Sequence, residues 1–148
     1  MILDAENQFS AQQSLTTGSE NGIISTNVLD LGVARNIGVG AELYIAIACT
    51  LAMTSSSSDD TLAVDLVTDD NADMNSPVVI QRLGVFPAVS AAGTVLKARV
   101  PISSAYERYI ALKYTAATGP LTQGKFTAGI SLGIDAYTSY AEGITITG

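Results

Sequence analysis

Residues 108–132, RYIALKYTAATGPLTQGKFTAGISL, constrain the fold more than any other stretch. Ile110, Leu112 and Tyr114 alternate with Tyr109, Ala111 and Lys113. Further on, Phe126, Ala128, Ile130 and Leu132 alternate with Lys125, Thr127, Gly129 and Ser131. Successive side chains of a strand point to opposite faces, so each half predicts a strand with one apolar and one wetter face. Gly119-Pro120 and Gly124 supply turn chemistry between the halves. The stretch therefore reads as a hairpin, with Ile110, Leu112, Tyr114, Phe126, Ile130 and Leu132 facing the core.

The same period recurs along the chain. Residues 23–31 (IISTNVLDL) predict the first firm strand, and residues 61–68 (TLAVDLVT) another, with Leu62, Val64 and Leu66 inward. The most apolar run is 43–53 (LYIAIACTLAM). Its expected inward face is Leu43, Ile45, Ile47, Cys49 and Leu51; small residues on the other face imply close approach of another layer or subunit. Residues 77–87 (PVVIQRLGVFP) read as strand-like and broken near Gly84. Residues 94–102 (TVLKARVPI) place Leu96, Ala98, Val100 and Ile102 on one side. About seven or eight short strands with turn signals between them and almost no helical periodicity point to an all-β sandwich, jelly roll or barrel.

A chain of 148 residues suits one domain with a sizeable core. We divide it into an N-terminal arm (1–22), a β-sandwich domain (23–134) and a C-terminal arm or edge strand (135–148). The first segment is polar around isolated Leu3, Phe9 and Leu15, and Asp4 could cap a short helix. The last carries Tyr137, Tyr140 and an Ile144-Thr145-Ile146 alternation, apolar for a free end.

Charged residues are 14% of the chain, against about 25% in a typical domain. A surface this short of charge suits a protein packed against neighbours. The net charge is −7 and the seven cations are scattered singly, which argues against nucleic acid and anionic membrane as partners. The start, MILDAENQFS, has neither a basic n-region nor an apolar h-region, so no signal peptide is expected. With no run of 18 apolar residues, no membrane-spanning helix is expected either. Synthesis in a reducing cytoplasm is the expectation.

The chain has no His and no Trp, and one Cys. A Ser-His-Asp triad, a His-based zinc site and a thiolate cluster are thereby excluded. Carboxylates such as Asp59, Asp60, Asp65 and Glu107 could form a hydrolytic pair, but no pattern singles one out. Asp69-Asp70-Asn71-Ala72-Asp73 lacks the glycine and closing glutamate of a calcium loop and reads as a solvated turn. The glycines at 32, 38 and 40 form no phosphate cradle, because no Lys-Ser/Thr or helix follows. No catalytic residue, metal or cofactor is expected. Tyrosine offers apolar area plus a hydroxyl, which suits interfaces. The expected protein-interface set is Phe9, Tyr44, Tyr106, Tyr109, Tyr137, Tyr140, Ile144 and Ile146.

Several segments, in order and spacing, carry a resemblance. They are the opening Met-Ile-Leu-Asp; residues 30–40 (DLGVARNIGVG); Thr68 to Asn71 with Ser76-Pro77; and residues 107–112 on through Tyr114, Gly119-Pro120 and 124–132. Together they resemble the capsid cement (decoration) proteins of short-tailed bacteriophages. The resemblance implies a jelly-roll β-sandwich, a homodimer, and a place on the outer capsid surface of the virion near symmetry axes. It also implies that such a protein clamps adjacent major capsid proteins, and it brings no catalytic residues. The alternative is a carbohydrate- or receptor-binding β-sandwich module of a phage fibre.

Overall fold

The computed structural model describes residues 3–132. The expected C-terminal arm or edge strand, with Tyr137, Tyr140, Ile144 and Ile146, lies outside the described residues. Nine strands follow in order: β1 (Gln8–Ser14), β2 (Ile23–Ile24), β3 (Leu29–Asp30), β4 (Leu43–Ser55), β5 (Leu62–Asp69), β6 (Val78–Phe86), β7 (Val95–Arg99), β8 (Tyr109–Ala116) and β9 (Leu121–Leu132). One sheet runs β1-β9-β4-β7 and the other β2-β8-β5-β6, with β3 also on β8.

All pairings are antiparallel, and they nest. β1 pairs β9, β2 and β3 pair β8, β4 pairs β7, and β5 pairs β6. That is the order of one long hairpin rolled over itself, the jelly roll. β2 and β3 share one strand position, so the eight positions of that fold are filled. The single strand expected over residues 23–31 is interrupted where Ser25 turns its hydroxyl back to Asn27 O.

Two expectations are corrected here. Residues 108–132 contain two strands but no hairpin. β8 lies in one sheet between β2/β3 and β5, and β9 in the other between β1 and β4. Both flanks of each strand are already paired, so Gly119-Pro120 carries the chain across the sandwich instead of folding it back. The N-terminal segment is also no arm. β1 pairs β9 from Gln8↔Gly129 to Ser14↔Lys125, and Phe9 and Leu15 are fully buried. Of the isolated apolar residues in this polar run, Phe9 is an inward side chain of an edge strand and Leu15 enters the core just past its end. Asp4 does cap a turn, accepting from Glu6 N–H before a short 3-10 turn over Ala5–Asn7.

The core joins Phe9, Leu15, Ile45, Ile47, Leu62, Leu66, Phe86, Ile110, Leu112, Tyr114 and Phe126 between the sheets. Phe86 meets Phe126 edge-on at 5.2 Å between centroids. Leu51 departs from its expected place: a register shift after Cys49 turns it toward solvent. Ile102 and Leu132 also face solvent, because β7 ends at Arg99 and β9 ends at Leu132 itself. β6 continues through Gly84, where Leu96 of β7 lies so close that a Cβ would meet its side chain. On the outer side of β9, Leu3 lies against Gly129 in the same way.

One buried polar network ties β1 to the core. Ser10 Oγ donates to Gln13 Oε1 at 2.7 Å and shares a 2.9 Å bond with Tyr114 OH. Gln13 also accepts from Thr26 N–H and donates to Ile24 O. A bulge in β1, with Gln12 at φ 52°, lets Ser10 and Gln13 both reach these partners.

Candidate docking surface

The registers sort the loops onto two ends of the sandwich. The upper end carries loops 15–22, 56–61, 87–94 and 117–120, and the lower end carries residues 3–7, 31–42, 70–77, 100–108 and Leu132.

The upper end is closed by polar bonds over a sealed core. Asp60 lies buried in it. Its Oδ1 accepts from Ala117 N–H at 2.9 Å and Thr118 N–H at 3.0 Å, and its Oδ2 accepts from the Ser55 hydroxyl. Burial works against the charged form, but these donors outweigh it and hold the Asp60 carboxyl below its usual pKa. Ser19 Oγ accepts from Leu121 N–H, and Met53 pairs with Ser90 across the loops.

The lower end is different. Of nine exposed large apolar side chains among the described residues, Val33, Val39, Ile102 and Leu132 lie there, and Val78 and Val79 stand next to it at the start of β6. Ile102 is 65% exposed and Leu132 75%. The loops carrying them are nonetheless held. Gly38 packs on the Pro101 carbonyl, where a Cβ would come within 2.2 Å of the oxygen. Arg108 makes a two-point contact with Asp30 (2.9 and 2.8 Å) and lies over the Tyr109 ring at 5.0 Å. The Arg108 guanidinium, helped by Gly32 N–H, lowers the Asp30 pKa to about 2. Between the sheets at this end is an open pocket of about 560 Å³ whose apolar lining includes Leu29, Leu31, Ile37, Leu43, Ile130 and Leu132.

Of the tyrosines expected at an interface, the described ones, Tyr44, Tyr106 and Tyr109, fall at this lower end, and all three are already engaged. Tyr106 is buried and donates to Pro101 O at 2.8 Å; burial pushes its phenol up to about 12. Tyr44 is half-buried and donates to Glu42 Oε2. Tyr109 is half-buried beneath Arg108. Phe9 is a core residue with no surface to offer a partner. The expectation missed the valines of the 31–42 loop and Ile102. Apolar residues inside a glycine-rich turn stretch were the available signal.

The remaining chemistry is structural. Among the described residues no three His, Cys, Asp or Glu side chains are grouped to hold a metal ion. Asp69 spends its carboxylate on its own loop, accepting from Asn71 N–H at 3.0 Å and Ser76 N–H at 2.9 Å, and these bonds lower its pKa. Cys49 is buried, and that burial raises its thiol pKa. Its Sγ faces the Leu51 carbonyl at 3.1 Å.

No curated protein matches the chain. A protein-family model described as Bbp16 matches residues 9–130, from the buried Phe9 of β1 to Ile130 of β9. With well over half of its 148 residues matched, and all nine strands touched by the match, the chain belongs to the Bbp16 family.

Proposed function

We propose that the protein is a structural, non-catalytic component of a phage virion: a capsid cement protein. It binds the outside of the shell and clamps adjacent major capsid proteins. It acts as a homodimer near symmetry axes. The observation that carries this reading is the unequal distribution of exposed apolar side chains: four of nine at the lower end, two more beside it at the start of β6, and one, Val89, on the upper loops. Apolar surface left in water at one end of an otherwise well-sealed domain marks a protein-binding face. The low charge of the chain favours the same use, since interface centres are depleted of charged residues. The resemblance of its sequence segments to cement proteins supplies the shell as the partner. Repeated many times over a shell, modest interfaces sum by multivalency, so each site need not be strong.

The test is co-sedimentation of the purified protein with undecorated shells. The unaltered protein pellets with them. Val39→Asp combined with Ile102→Asp abolishes pelleting while leaving the fold intact, and Val89→Asp at the opposite end does not. A protein that stays in the supernatant, or a lower-end variant that pellets normally, overturns the proposal.

A further inference from the structure

β6 is the edge strand of its sheet, paired on one side by β5, and of its nine residues only Phe86 is buried. Register with β5 sorts its side chains. Ala63, Asp65 and Val67 of β5 face away from the core that takes Leu62, Val64 and Leu66, and their cross-strand partners are Val85, Arg82 and Val79. Two register irregularities skip Leu83 and Ile80, which pack against the core instead. The outer face of β6 is therefore a stripe of three residues, Val79, Arg82 and Val85, evenly spaced and the same read in either direction. Its valines are 51% and 47% exposed. Arg82 is the one charged residue of β6, and Asp65 neutralises it by a two-point contact at 2.8 and 3.2 Å. Further across the sheet the same face is roofed by this chain: Val67 and Ala111 are fully buried beside Met74, and Ile24, Val28 and Tyr109 pack against them.

We propose that this stripe is a dimer face, covered by the same stripe of a second copy. A twofold contact lays one patch onto itself, so the patch must match its own reversal. Val79, Arg82 and Val85 do so. With the axis lying across the strands at Arg82, two such faces stack with their strands antiparallel, and Val79 of each copy meets Val85 of the other. The charges close as well. At the axis two Arg82 guanidiniums alternate with two Asp65 carboxylates, and each Arg82 has Nη1, which its own Asp65 does not take, to give to the Asp65 of the other copy. A neutral centre matters in a chain of net charge −7, whose copies otherwise repel. The reversal also keeps the two roofs apart, because the roofed lower half of each copy lies over the open upper half of the other. The second copy packs over the face and does not extend the ladder at the free edge, because the two irregularities break the even backbone spacing that an added strand needs. This inference rests on the homodimer of the proposed function and names its face, which leaves the lower end to the shell.

Sedimentation velocity and cross-linking on the full chain test it. The unaltered protein should run as a dimer that dissociates on dilution. Val79→Asp with Val85→Asp should weaken the dimer about tenfold or more, and Val39→Asp with Ile102→Asp should leave it unchanged. An unaltered protein that is monomeric at every concentration overturns both this face and the homodimer reading. A dimer that survives Val79→Asp with Val85→Asp, or is lost in the lower-end variant, overturns the face alone. Cross-linking reads the register. Under mild oxidation Val79→Cys with Val85→Cys should give a disulfide-linked dimer, with Cys49 buried and out of reach. Val79→Cys alone should give about tenfold less or lower, since that position in the two copies stands about 20 Å apart along the antiparallel strands. Equal yields from the two variants overturn the face even if the aspartate variant fails to fold.

Discussion

At the upper end of the sandwich one carboxylate, Asp60, gathers three donors, two from the 117–120 loop and one from the end of β4. At the lower end the loops are no less ordered, yet they leave Val33, Val39 and Ile102 in water and a pocket open between the sheets. Both ends satisfy their backbone groups with side-chain oxygens: Asp60 and Ser19 above, Asp30 and Asp69 below. What separates them is where the apolar residues go. Above, Leu15, Met53 and Leu121 turn inward under the loops. Below, comparable residues stand on the loops. An end that is polar outside and apolar inside is finished as a protein surface. One that is ordered and apolar outside has the character of the protein-binding face proposed above.

If this contrast is right, truncation should be costly above and nearly free below. Leu15→Ala removes a fully buried side chain and should cost about 2–5 kcal/mol. Ile102→Ala should stay within about 0.5 kcal/mol, as for other surface changes. Denaturant midpoints of the two variants give the comparison, and equal losses would break it.

Asp60→Ala takes this acceptor from the Thr118 N–H and the Ser55 hydroxyl, while the Ala117 N–H keeps the Thr61 carbonyl. A loss of about 1.5–3 kcal/mol is expected, since the bonds lost are to a charged acceptor. A loss below about 0.5 kcal/mol would mean that water replaces the carboxylate, and the upper end would not be sealed.

Acid sharpens the same point. Asp60, Asp69 and Asp30 all have folded pKa values below their ordinary ones. The unfolded chain therefore binds protons first, and their contribution is complete above about pH 4. It is lost as pH falls through the folded values, the lowest of them Asp30 at about 2. Urea unfolding between pH 5 and 2 should show stability falling, with a shallower fall in Asp60→Asn. An identical slope in that variant would remove Asp60 from the account.

Smaller still is Tyr114→Phe. It deletes the hydroxyl shared with Ser10 but leaves Ser10 bonded to Gln13. A cost of about 1 kcal/mol is expected, seen in the thermal midpoint. Because the lost bond ties β1 to β8, hydrogen exchange should quicken in β1 before β4. Uniform quickening would show that β1 has no separate dependence on this network.

Much of the fold was legible because alternation is a local property. In residues 108–132 the parity of Ile110, Leu112, Tyr114, Phe126 and Ala128 could be read directly, and all five are buried. The partners of those strands could not be read. A turn with Gly119-Pro120 is compatible with a hairpin and with a crossing between sheets. Only the pairing of β8 with β5 and of β9 with β4, each more than forty residues away in sequence, decides between them. The candidate docking surface was less legible. Tyrosine content singled out Tyr44, Tyr106 and Tyr109, which stand at the lower end, but Tyr106 is spent on Pro101. Val39 stood out only as an apolar residue in a glycine-rich turn stretch, and Ile102 looked like any other strand residue.

By itself, then, the sequence determined that this protein is built of short strands with a shared apolar side, and that histidine-based chemistry and thiolate clusters are closed to it. Those follow from residue identity and period. Tertiary structure alone decided that Gln8–Ser14 is an edge strand and not an arm. It alone decided that one end is sealed and the other left apolar. Pairing and burial depend on which distant segments arrive at the same place, and no local pattern encodes that arrival.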